Sequence, residues 1–291
     1  MRAAAGLAAG AWAAWPASSA EICVVSPLVQ IRPHSTCSDF GNGASCEGAK
    51  VIMQTMKGEA ESTQLLLRKA RDADSPAGGM PNVTLTVTGN VTTAADVALH
   101  VVGYVNTSHT PRYQGSGGGW RPDPLVKLAP GESFSVPADA ATAVWLTLTA
   151  GRGAAAGAYT GAVAVSCGGC TVQKEYSVPV EYTVWDVELP EQKDSKVGTA
   201  WSGSWGAENF KDYYGPATNS TYNQTAWFET MFKYRTPPDS IYVTTPRPVP
   251  EYEDMAARGA RWFSLLDVSA LPLTPGAAPR PRPPPGAPGA P

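Results

Sequence analysis

Charge is the scarcest ingredient of this chain. Asp, Glu, Lys and Arg supply only 16% of its 291 residues, against about 25% in an ordinary soluble domain. The formal net charge is −3, and no basic run interrupts the body of the sequence. That argues against a nucleic-acid partner, because neutralising phosphates needs clustered Lys and Arg. Histidine is scarce too: there are three, His34, His100 and His109. Beside a single Cys-x-x-Cys pair, Cys167 and Cys170, they fall short of a metal-binding set. A disulfide across the turn, or two unlinked thiols, suits that pair better. There is no Gly-x-Ser-x-Gly elbow and no glycine loop of the phosphate-cradling kind. Neither a hydrolase-type serine nor a cofactor is therefore expected.

Long apolar runs are also missing. Ala3–Trp15 has 13 residues of apolar character, and spanning a bilayer needs about 20. Arg2 in front of it and small residues at Ser18 and Ala20 behind it give residues 1–20 the pattern of a secretion leader. The alternative is an Ala-rich disordered start. The expected location is secreted or extracellular, with no membrane association once the leader is removed. Five Asn-x-Ser/Thr sequons, at Asn82, Asn90, Asn106, Asn219 and Asn223, are candidate glycan acceptors in that compartment. The five Cys (23, 37, 46, 167 and 170) would there form up to two bridges with one thiol left over.

Turn formers are plentiful, with 29 Gly and 27 Pro. Between them runs a period of two. In Asn82–Thr88, Val83, Leu85 and Val87 face one way and the Asn and Thr residues the other. Val97, Leu99 and Val101 repeat this, with His100 on the solvated side, and so do Val144, Leu146 and Leu148 against Trp145, Thr147 and Thr149. Val178, Val180, Tyr182 and Val184 form another inner set, and Pro179 on the outer set suggests an edge strand. The pattern predicts a mainly β fold, an antiparallel β-sandwich over residues 21–190. Gly58–Arg68 is rich in good helix formers, but it sits among strands. It is read as a strand, with Thr63, Leu65 and Leu67 on one face and Gln64, Leu66 and Arg68 on the other; a helix is the alternative.

The composition then changes. Trp227, Phe228, Met231 and Phe232 mark one face of a helix over residues 226–235, capped by Asn223 or Thr225 and stopped by Pro237-Pro238. A strand at residues 240–245, a helix at residues 250–258 with Pro250 in its first turn and Gly259 beyond its end, and an apolar run at residues 261–268 follow. Strand–helix alternation over residues 191–270 predicts the start of an α/β segment. Those 80 residues compare with about 200 or more in a closed (β/α)₈ barrel. In residues 271–291, nine of 21 are Pro, which predicts a disordered or polyproline-like tail.

Four segments, in order, resemble the glycoside hydrolase family 123 N-terminal domain. They are GEAESTQLLLR (Gly58–Arg68), GGWRPDPLVKL (Gly118–Leu128), VWLTLTAGRGAAAGAYTGAVAV (Val144–Val165) and VPVEYTVWDVELPE (Val178–Glu191). The resemblance is strongest over residues 50–190 and continues more weakly to about Ala270. It implies a β-sandwich followed by a (β/α)₈ barrel that hydrolyses terminal N-acetylgalactosamine. In that family the substrate's acetamido group attacks the sugar carbon, and an adjacent Asp-Glu pair orients the acetamide and protonates the leaving oxygen. This chain contains no Asp-Glu dipeptide, so the resemblance carries over no catalytic residue. The expectation is a catalytically incomplete N-terminal portion of such a protein. The other reading is an extracellular β-sandwich that binds a glycan or a protein through aromatics such as Trp120 and Trp145.

Three residues are candidates for sugar contact. Asp267 ends a predicted strand, where barrels place their active face; it fits equally as a cap of the next loop. Trp201 and Trp205 follow the first predicted barrel strand, either to stack on a pyranose ring or to cover a domain junction. Carbohydrate is accordingly the expected partner.

Overall fold

A computed structural model of the chain describes residues 20–41, 49–71, 78–107, 119–171, 173–194, 201–202, 224–239, 248–261 and 263. The chain divides into two compact units, Met1–Leu189 and Pro190–Pro291. The sequence readings for residues 1–19 of the leader, Cys46, residues 240–245, Asp267 and the Pro-rich tail fall outside the described residues.

The first unit is a pair of five-stranded sheets with one short helix, α1 (Val91–Ala94). One has the order β1 (Glu21–Val25), β3 (Ala60–Arg68), β8 (Ala141–Ala150), β5 (Ala95–Thr107), β6 (Gly119–Lys127). Every pairing in it is antiparallel. The other has the order β2 (Val51–Lys57), β10 (Glu175–Glu188), β9 (Gly157–Cys167), β4 (Met80–Gly89), β7 (Phe134–Val136). Here β2 joins β10 in parallel, from Val180↔Val51 onward, a departure from the purely antiparallel expectation. β10 is therefore an inner strand. Pro179 fits because it lies opposite Ala162 of β9, one residue before pairing with β2 begins, so the N–H that proline lacks is not missed by that ladder.

Gly58–Arg68 contains strand β3, and its three successive leucines explain the outcome. Successive side chains of a strand point to opposite faces. Leu65 and Leu67 enter the core between the sheets, with Val144, Leu146, Val163, Val180 and Tyr182. Leu66 enters a second cluster on the outer face of its sheet, with Cys23, Val25, Ile31, Cys37 and Val102. All three are fully buried, and each such burial stabilises the fold by about 1.5–3 kcal/mol. Tyr182 is also buried, and its hydroxyl is satisfied by Thr55 Oγ1 at 2.6 Å.

The second cluster exists because residues 26–40 fold back over the outer face. The Cys23–Cys37 disulfide closes this segment. A one-turn 3₁₀ helix, Cys37–Phe40, ends it, with Thr36 N–H donating to Asp39 Oδ2 at 2.7 Å. Cys167 and Cys170 are joined across the β9–β10 reversal. There the Gly168 and Gly169 N–H groups donate to the carbonyls of Asn82 and Pro81.

The second unit has a parallel pair, β11 (Trp201–Ser202) with β12 (Pro238–Asp239), and two helices, α2 (Gln224–Lys233) and α3 (Val249–Ala257). Thr225 lies inside α2, so it is not the cap. Met231 and Met255 are the buried anchors of the two helices, whereas Trp227 is exposed. Pro250 stands in the first turn of α3, and Gly259 follows it with a φ of 101°, a conformation that suits glycine. No described helix is long and apolar enough to cross a membrane.

Candidate functional site

The outer face of the first sheet carries two clefts that share the same walls. One wall is the folded-back segment, residues 27–34. The other is edge strand β6. Pro122 and Pro124 lie within β6 and lack the N–H that a further strand would need, which blunts that edge.

The first cleft holds 270 Å³ and runs between Pro27–Gln30 and Pro122–Leu125 over a floor of Gln64, Val102 and Trp145. Gln64 is buried, and its Nε2 donates to the carbonyls of Ser26 and Val29, each at 2.9 Å. That side chain fixes the start of the wall against strand β3. Leu28 is 93% exposed on the rim. The second cleft holds 440 Å³ and is lined by Arg32, Pro33, His34, Gly119, Trp120, Arg121, Asp139 and Ala140. Its loop wall is a tight turn. Arg32 N–H donates to Ser35 Oγ at 3.0 Å, Ser35 N–H returns to Arg32 O at 2.9 Å, and Ala141 N–H ties Pro33 O to strand β8 at 2.7 Å.

Asp139 does not set the charge of this cleft. It sits at φ 57°, a left-handed conformation that Asp tolerates. Its carboxylate accepts from Arg71 N–H at 3.0 Å and lies 3.3 Å from Arg71 Nε. On the β6 wall, Trp120 stands opposite Asn106 of β5. Both are exposed, and residues paired in this way share a face. Sequon Asn106 therefore lies beside the indole.

The remaining sequence candidates are placed as follows. Asn82 and Asn90 are exposed on the sandwich, and Asn90 Oδ1 accepts from Thr160 N–H at 2.6 Å. Trp201 lies in β11 opposite Pro238. Asp267, Trp205, Asn219 and Asn223 lie outside the described residues. His100, expected to be solvated, is half-buried between Trp145 and Lys127 on the neighbouring strands, because the outer face it occupies is partly covered. Sequence reasoning missed Arg32 and His34. The one available signal was the spacing from Cys23 to Cys37, which permits a closed loop without saying what it covers. Among the described residues, no group of three or more His, Cys, Asp or Glu is placed to hold a metal ion.

Tyr104, opposite Pro122 on the same face, has a buried hydroxyl with no hydrogen bond of normal geometry. Burial pushes its pKa up from 10.0 to about 12, against a smaller opposing effect of the Ala143 backbone. The folded state holds this proton more tightly than the unfolded chain. Stability associated with Tyr104 is thus full below about pH 10 and falls as pH rises through about 12. Tyr182, raised by burial in the same direction, adds to the loss. Tyr104→Phe is expected to leave neutral-pH stability unchanged or raised by up to about 1 kcal/mol, since it removes a buried unpaired hydroxyl, and to flatten the alkaline decline. Urea titrations at neutral and alkaline pH check this; a loss of more than about 1 kcal/mol at neutral pH contradicts it.

No protein-family model matches the chain, and no curated protein matches it. Solved structures do. A family 123 glycoside hydrolase from Clostridium perfringens, studied for glycolipid glycan hydrolysis, aligns with a TM-score of 0.52 at 13% identity. The alignment covers 74% of this chain and 34% of that one. The CooA pilin subunit from enterotoxigenic Escherichia coli aligns at 12% identity and a TM-score of 0.29, over 56% of this chain and 98% of that one. The seventh ScaB type I cohesin from Pseudobacteroides cellulosolvens aligns at 12% identity and a TM-score of 0.24, over 48% and 94%. The hydrolase is a likeness of fold. The other two are too remote to carry an argument.

Proposed function

We propose that the chain is a non-catalytic N-terminal portion of a secreted protein related to glycoside hydrolase family 123, with a β-sandwich over residues 21–190 and the beginning of a barrel over residues 191–270. The observation that carries this reading is the agreement between motif order and fold. The four family-like segments supply strands β3, β6, β8 with β9, and β10, and the hydrolase likeness covers 74% of this chain. The parallel pairing of β11 with β12 is in keeping with a barrel's first units. The absence of an Asp-Glu dipeptide removes the acid and the acetamide-orienting group that the family's chemistry uses. The full chain is expected to release no phenol from an aryl N-acetylgalactosaminide above the uncatalysed rate, followed by absorbance over hours. Measurable turnover, abolished by heat denaturation, contradicts this reading.

A specific feature favours a second role for the same sandwich, as a glycan-binding module. Trp120 is 55% exposed at the mouth of a cleft. An exposed indole beside convergent polar groups is the arrangement that takes the C–H face of a pyranose. Trp201, Trp205 and Asp267 belong to the first reading, as candidates for sugar contact in the barrel portion, and the five sequon asparagines as candidate glycan acceptors.

A further inference from the structure

The geometry points to an anionic saccharide as the ligand of the cleft between residues 32–34 and strand β6. This rests on the glycan-binding reading and goes beyond it in naming the ligand's charge. The lining sets the Arg32 guanidinium against one carboxylate, Asp139. That carboxylate is already engaged by Arg71, so the Arg32 charge is not matched by a carboxylate of the lining, although the whole chain is net negative at −3. A guanidinium is matched in shape to a carboxylate or sulfate, which it can hold through two parallel N–H···O bonds. Trp120, exposed in the same cleft as Arg32, supplies what a bare anion would not need, a ring face. A pyranose bearing an acidic group uses both features: its ring lies on the indole while its anion meets Arg32.

Both walls are fixed before any ligand arrives. The Arg32–Ser35 turn is closed by reciprocal hydrogen bonds and tied to β8 through Pro33. The Cys23–Cys37 disulfide anchors the segment behind it. On the other side, Trp120 is held in register with Asn106, and Thr107 Oγ1 donates to Gly119 O at 3.1 Å. A preformed site avoids the ordering cost that a loose loop would incur on binding.

The test is calorimetric titration of the full chain, produced without N-glycans, with three probes. These are a disaccharide bearing a uronic carboxylate, 6-sulfated N-acetylgalactosamine, and neutral N-acetylgalactosamine. At least one anionic probe is expected to bind about tenfold or more tightly than the neutral sugar, and to weaken when salt is raised from about 0.05 to 0.5 M. The two anionic arms separate carboxylate from sulfate recognition. Arg32→Gln and Trp120→Ala should each lower affinity about tenfold, with thermal midpoints within about 3 °C of the parent. Trp227→Ala, an exposed tryptophan of the second unit, should bind like the parent. Equal binding of neutral and anionic sugars overturns the anionic assignment while leaving a glycan module standing. Binding of no probe overturns both. Undiminished affinity in the folded Arg32 and Trp120 variants overturns the placement of the site.

Discussion

Replacing Gly161 by valine is expected to destabilise the sandwich by about 3 kcal/mol or more, the upper end of what overpacking costs. Gly161 of β9 is paired with Gly89 of β4. A Cβ at Gly161 would run into the Thr88 carbonyl and lie 2.6 Å from Val91 Cγ1. A Cβ at Gly89 would lie 2.5 Å from Gly161 Cα, and Gly89 also adopts a φ of 98°, which other residues rarely do. The obstacle at Gly161 is backbone rather than a side-chain tip, so no rotamer change relieves it. β9 is an inner strand, paired with β10 on its other side, and displacing it disturbs the middle of its sheet. Urea unfolding of the variant should show a lowered midpoint or no folded baseline; an unchanged midpoint contradicts the described close approach.

Removing both Cys23 and Cys37, each changed to alanine, is expected to cost about 3 kcal/mol. The bridge closes a separation of 14 residues, and the chain-entropy account gives about that value for a loop of this length. Both cysteines are buried in the cluster that contains Leu66 and Ile31, so the loss is felt where the folded-back segment meets the sheet. The cleft wall at Arg32 should loosen with it, weakening the anionic probe as well as lowering the unfolding midpoint. Unfolding and titration under non-reducing conditions check both. A stability loss below about 0.5 kcal/mol, within the range of ordinary surface changes, contradicts the bracing role.

The periodic strands were legible because each carries its own burial code. Val83 and Leu85, and Val144, Leu146 and Leu148, all reach the core on the alternation visible in the sequence. Gly58–Arg68 was harder. Its local propensity favours helix, and the outcome turned on two buried faces, one of them created by a distant segment. That segment was the least legible part. Residues 26–36 show no period, and their position is set by one disulfide, the Gln64 side chain and the Pro33 carbonyl. None of these has a local signature. The parallel β2–β10 pairing was equally hidden, because strand order depends on long-range contacts and alternation reports only which face is buried. The candidate cleft inherits both difficulties. Trp120 was visible as an aromatic after a glycine run, but its partners Arg32 and His34 are almost ninety residues away and meet it only through the fold.

The most direct measurement joins binding and chemistry in one sample. The full chain is saturated with the tightest anionic oligosaccharide, held for many hours, and the sugar is then recovered and sized by chromatography. A module that recognises glycans without cleaving them gives a saturable isotherm and returns the ligand intact. Recovery of shortened fragments, in amounts that scale with protein and disappear on heat denaturation, would contradict the account.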